Sequence, residues 1–119
     1  MPQKKKYISI LRIELEDLQT DIENLMKELE RRKESRECTD HVFLHNLTLF
    51  KNELLGVNTF SRILDSLNPQ DYNNVDEMIE DISQRFQKIV KAHDFAPAIG
   101  ILIQRKLDKV ARYVKHTEK

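Results

Sequence analysis

The sequence predicts an all-α fold: an antiparallel four-helix bundle made of a long, coiled-coil-like N-terminal helical hairpin and two shorter helices. Apolar residues recur at helical spacing through nearly the whole chain. The 119 residues include only two Gly and three Pro, too few for the many turns of a β-sandwich or barrel. Charged residues make up 34%, against a globular norm of about 25%, which suits helices with broad wetted faces. This length accommodates one helical domain spanning 1–119, not two separate cores.

The first helix is the most specific signal. Ile8, Leu11, Leu15, Leu18, Ile22, Leu25 and Leu29 are spaced alternately three and four apart, a heptad seam with Ile8, Leu15, Ile22 and Leu29 at a. Pro2 suits a helix start, and Arg31, Arg32 and Lys33 suit the negative end of the helix dipole. One helix over residues 3–34, about 45 Å long at 1.5 Å per residue, follows. Residues 35–39 form the turn, and Thr39 or Asp40 caps the second helix. That helix carries Phe43, Leu47, Phe50, Leu54, Val57 and Leu64, with Leu49, Phe60, Ile63 and Leu67 widening the stripe. Gly56 and Asn58 weaken its middle and suggest a kink or short break near 56–59, and Asn68-Pro69 stops it.

Asn74 followed by Glu77 imitates a capping box for the third helix. Val75, Ile79, Ile82, Phe86 and Ile89 face its core, and it ends near Ala92 or His93, His93 itself falling on the core alternation. Asp94 caps the fourth helix, which accepts Pro97 in its first turn and carries Ile99, Ile103, Leu107, Val110 and Val114. Ala96 and Gly100 would let a neighbouring helix come close.

Composition also limits function. The lone Cys38 cannot staple the fold, and a reducing, cytoplasmic setting is the simplest one for it. No stretch approaches the roughly 18 apolar residues of a membrane span. Twenty basic and twenty acidic side chains balance, which weakens the case for nucleic acid, although binding there is not ruled out by it. No phosphate-cradling glycine loop, paired-carboxylate site or Ser/His/Asp signature is present, so neither an enzyme, a cofactor nor a small-molecule substrate is expected.

Three constellations remain. Cys38, His41 and His45 have types and spacing that suit zinc, but the heptad count puts them on the solvent side without a fourth ligand, and no metal is assigned. Arg105, Lys109, Arg112 and His116 form a basic stripe on the fourth helix that could meet an anion. Residues 97–119 carry six basic side chains against Asp108 and Glu118, while residues 71–81 carry five acidic ones, so internal complementarity explains much of the pattern. Arg36-x4-His41 resembles the Arg/His pair of HEPN ribonucleases, themselves small helical bundles. That resemblance implies His41 as acid or base on a ribose hydroxyl with Arg36 holding phosphate. It departs at Glu37, where the family usually has Asn, Asp or His, and in opening the second helix rather than the last.

The function expected from the sequence is therefore a non-enzymatic protein-interaction or assembly module. Its first hairpin is longer than the other helices can cover, which predicts a homodimer through Ile8, Leu11, Leu15, Leu18 and Ile22.

Overall fold

In the computed structural model, residues 3–93 and 97–117 are described. Four helices make up almost all of them: α1 (Gln3–Glu34), α2 (Asp40–Ser66), α3 (Val75–His93) and α4 (Pro97–Thr117). A single 3-10 turn at Pro69–Asp71 bridges α2 and α3. The expected cap at Asp94, Ala96 of the expected close-approach pair, and the side chain of His93 lie outside the described residues.

Local chemistry sets the boundaries. Arg36 adopts φ 60° in the turn after α1, and the Thr39 hydroxyl accepts from the Val42 amide at 3.1 Å to start α2. The Glu77 amide donates to the Asn74 side chain at 2.8 Å, and the Glu77 carboxylate accepts from the Asn73 amide at 3.2 Å, so the start of α3 is closed from both sides. Of the expected kink or short break near 56–59, the break does not occur. α2 runs through Gly56 and Val57 unbroken because both are buried and the packing holds the helix where propensity alone would weaken it.

Side-chain pairs show how the helices lie. Arg12 meets Asp65 at 3.1 Å near one end of α1 and α2, and the Lys33 ammonium sits 4.3 Å from the Phe43 ring centre near the other. Contacts between α1 and α4 also run in opposite senses: Lys6 reaches Tyr113, whereas Glu14 reaches Lys106 and Lys109. Lys115 pairs with Asp76 and Gln104 with Gln87, so α3 and α4 do the same.

One core runs through the body. It takes Tyr7 to Ile22 from α1, Val57, Phe60 and Leu64 from α2, Val75, Met78, Ile82 and Phe86 from α3, and Ile99 to Val114 from α4. The Tyr7 hydroxyl, fully enclosed, donates to the Leu107 carbonyl at 3.4 Å, and burial pushes its pKa well up. Among the described residues, no buried side-chain polar atom lacks a hydrogen-bond partner.

This core corrects the expected dimer face. Ile8, Leu11, Leu15, Leu18 and Ile22 are all buried by the chain's own helices, so no partner can reach them in this conformation. The length mismatch is real but falls further out. The fully buried cluster ends at Ile22 on α1 and Val57 on α2, with half-buried Met26, Phe50 and Leu54 packed against its edge, and the hairpin beyond forms a two-helix arm. The molecule measures 54 × 29 × 19 Å, and its radius of gyration of 16.7 Å exceeds the value of about 13.5 Å expected for a compact chain of this length.

Candidate functional site

The arm has little to bury itself with. Leu29 and Phe43 are enclosed between its two helices, apart from the main core. Phe43 owes part of its cover to the Lys33 side chain lying over its ring. The d position at Leu25, expected inside the seam, is 50% exposed because α3 and α4 do not extend over the arm.

On the arm's open side, Leu25, Glu28 and Arg32 follow one another at i, i+3 and i+7 along one edge of a shallow groove. Leu29 and Phe50 line it, and Asn46 stands at the other edge. Asn46 belongs to an α2 stripe, spaced i, i+4 and i+7, whose other members Val42 and Leu49 are 43% and 38% exposed. Leu44 and Leu55, also exposed and three turns apart, widen the apolar surface around α2. Polar groups within the face are ordered. Arg31 donates to Glu28 through two nitrogens at 2.8 and 3.0 Å, and Arg32 adds a contact at 3.4 Å. The Arg31 bonds hold the Glu28 carboxyl low, at about 2.

No protein-family model, curated protein or solved structure matches this chain. Its function must therefore be read from its own surfaces.

The basic stripe of α4 is only partly open. Lys106 and Lys109 each donate to Glu14 at 2.8 Å, and Lys115 pairs with Asp76 at 2.6 Å. Arg105, Arg112 and His116 are exposed, and no ion pair to them is found among the described residues. Glu14 is thus a clamp between α1 and α4. Hydrogen bonds from Lys106 and then Lys109 lower its pKa. A lowered folded pKa contributes stability that is complete above the ordinary value of 4.5 and is lost as pH falls through the folded value. Glu14→Gln is expected to cost about 1 kcal/mol near neutral pH and less at about pH 3, below the ordinary value of 4.5. Urea unfolding at both pH values checks this, and an equal loss at each would contradict it.

The zinc candidates do not assemble, and the Arg36/His41 pair lies away from the grooves of the arm and the body. Among the described residues, no three His, Cys, Asp or Glu side chains come together as a metal-ligand group, Cys38, His41 and His45 included. Cys38 precedes the Thr39 cap, so the helical spacing that would stack it on His41 never applies. Arg36 sits in the left-handed turn and His41 in the first turn of α2, both exposed, and neither borders the grooves at the arm or between α1 and α4.

Sequence reasoning passed over Glu53, the one buried charged residue among those described. It continues the Val42–Asn46–Leu49 stripe at the root of the arm, and burial raises its carboxyl pKa. It also passed over Tyr72, whose hydroxyl bonds to Asp81, with Arg85 donating to the same carboxylate at 2.9 Å. Burial and that carboxylate push the Tyr72 phenol up to about 12.

Proposed function

We propose that the chain is a non-enzymatic assembly module that pairs with a second copy of itself through the open face of the α1–α2 arm. The observation that carries this is the exposed Leu25 in a groove whose Asn46 edge belongs to the same α2 stripe as exposed Val42 and Leu49, in the part of the hairpin beyond the main core. In the body, the hairpin is completed by two more helices. On the arm, the hairpin of a second copy can supply the same pair.

Charge supports a copy as the occupant. Glu28 and Arg32 lie on the same edge, so a two-fold axis through the groove sets the acid of one copy against the base of the other. A formal net charge of zero gives two copies no overall repulsion. The face is about 20 Å long and two helices wide, roughly 400 Å² per copy, below the range of about 1,200–2,000 Å² buried in total by stable complexes. Association should therefore be weak and reversible, and a reducing cytoplasm suits its single thiol.

Nucleic acid fits less well. Half of the basic side chains in residues 97–119 are Lys106, Lys109 and Lys115, and all three are already bonded to carboxylates within the fold.

Light scattering over a dilution series tests the reading. The wild-type chain should pass from monomer to dimer at micromolar concentration or above, and the Leu25→Glu/Leu49→Glu variant should remain monomeric with unchanged helicity. A wild type that stays monomeric throughout, or a variant that dimerises equally well, would overturn it.

A further inference from the structure

A second groove lies at the far end of the body from the arm, between the first half of α1 and the last half of α4. Its volume is about 320 Å³, and Ile10, Glu14, Lys109, Val110 and Tyr113 line it. The apolar surface continues past its rim: Ile13, one turn from Ile10, is 57% exposed, and Tyr113 is 52% exposed. Ile10 packs against the core from the groove side, whereas Ile13 and Tyr113 lie outside the core cluster.

The rim is cationic. The Lys6 ammonium lies 5.5 Å from the Tyr113 ring centre, Lys106 and Lys109 share Glu14, and Arg112 stands exposed beside Tyr113. Two lysines are thus held on one carboxylate in the wall, leaving a net positive charge beside an apolar floor, with Lys6 over Tyr113 and Arg112 exposed next to it in the chain. Asp17, a turn beyond Ile13, ends this stretch towards the arm.

We propose that this groove docks an acidic amphipathic helix of another protein. Apolar side chains at i, i+3 or i+4, and i+7 would lie along Ile10, Ile13 and Tyr113, with flanking Asp or Glu meeting Lys6 and Arg112. The acidic α3 of a second copy does not supply such a helix. It turns Val75, Met78 and Ile82 into the core of its own chain. A phosphate backbone gains nothing from the apolar floor and meets Glu14 in the wall. The surface and partner differ from those of arm pairing, so the two proposals stand or fall separately.

Panning the full chain against a library of random 16-residue peptides tests it. Enriched sequences should combine Asp or Glu with apolar residues at helical spacing. A synthetic copy of the best one should bind the Arg112→Glu/Tyr113→Ser variant at least about tenfold more weakly, and wild-type binding should weaken with salt. Both substituted positions are exposed, and circular dichroism confirms folding. The Leu25→Glu/Leu49→Glu variant should bind the peptide as the wild type does, which separates failure here from failure of arm pairing. No enrichment, basic enriched sequences, affinity indifferent to Arg112 and Tyr113, or equal competition by a single-stranded oligonucleotide or by phosphatidylserine vesicles would overturn the proposal.

Discussion

Replacing Leu15 by Ala is expected to destabilise the chain by about 3 kcal/mol, the middle of the range for deleting a buried Leu side chain. Leu15 is 1% exposed and lies mid-way along the part of α1 that α2 and α4 enclose. Removing its branched end leaves a cavity whose walls are held by long helices, which relax poorly into the space. A loss of that size is a large share of the roughly 5–15 kcal/mol typical of a domain and should lower Tm by about 10 °C. The decisive feature is that the loss should not depend on protein concentration. If Leu15 instead lined an interface between copies, the variant would be destabilised mainly through mass action, and its penalty would shrink or vanish on dilution. Thermal unfolding at two concentrations a hundredfold apart separates these outcomes, and a penalty seen only at the higher one would return the seam to an intermolecular role.

The seam shows what a sequence can and cannot reveal. The heptad spacing gives α1 its bounds at Gln3–Glu34, because periodicity is a property of one helix and needs no tertiary information. The caps at Thr39 and Asn74 are legible for the same reason, since their bonding partners lie within three residues. Periodicity marks which side chains need cover, not which polymer provides it. That is why Ile8 to Ile22 could suggest a dimer face while α2, α3 and α4 of the same chain bury them. Leu25 reads like the rest of the seam and differs only in lying beyond the body, a fact of helix registry that no local pattern encodes. The candidate groove at Ile10, Ile13 and Tyr113 left a fainter trace: two isoleucines set off the heptad positions, in a segment otherwise charged on that side. Tyr7 was also missed as core. Its burial depends on α4 arriving to accept its hydroxyl proton at Leu107, a hundred residues away. Cys38, His41 and His45 fail in the opposite direction, since a spacing argument presumes a helix that had not yet begun at Cys38.

The second large effect should come from Phe60. Its ring is fully buried and meets Phe86 edge-on, with centroids 5.0 Å apart and planes at 69°. This pair joins α2 to α3 in the body, while α3 also packs on α4 through Val90 beside Gly100. Phe60→Ala is expected to cost about 4 kcal/mol, of which about 1 kcal/mol belongs to the ring pair rather than to lost area. A double-mutant cycle isolates that part. Phe60→Leu and Phe86→Leu, alone and together, keep most of the apolar volume, and their coupling should be about 1 kcal/mol. The local consequence should be unequal as well. Losing Phe60 weakens the hairpin's grip on α3 but leaves the buried contacts of α1 with α4, including Tyr7 on Leu107 and Glu14 on Lys106 and Lys109. Amide exchange should therefore accelerate more in α3 than at Leu11 or Leu15, where both neighbours of α1 remain in place. Uniform acceleration across all four helices would show instead that the body opens only as one unit.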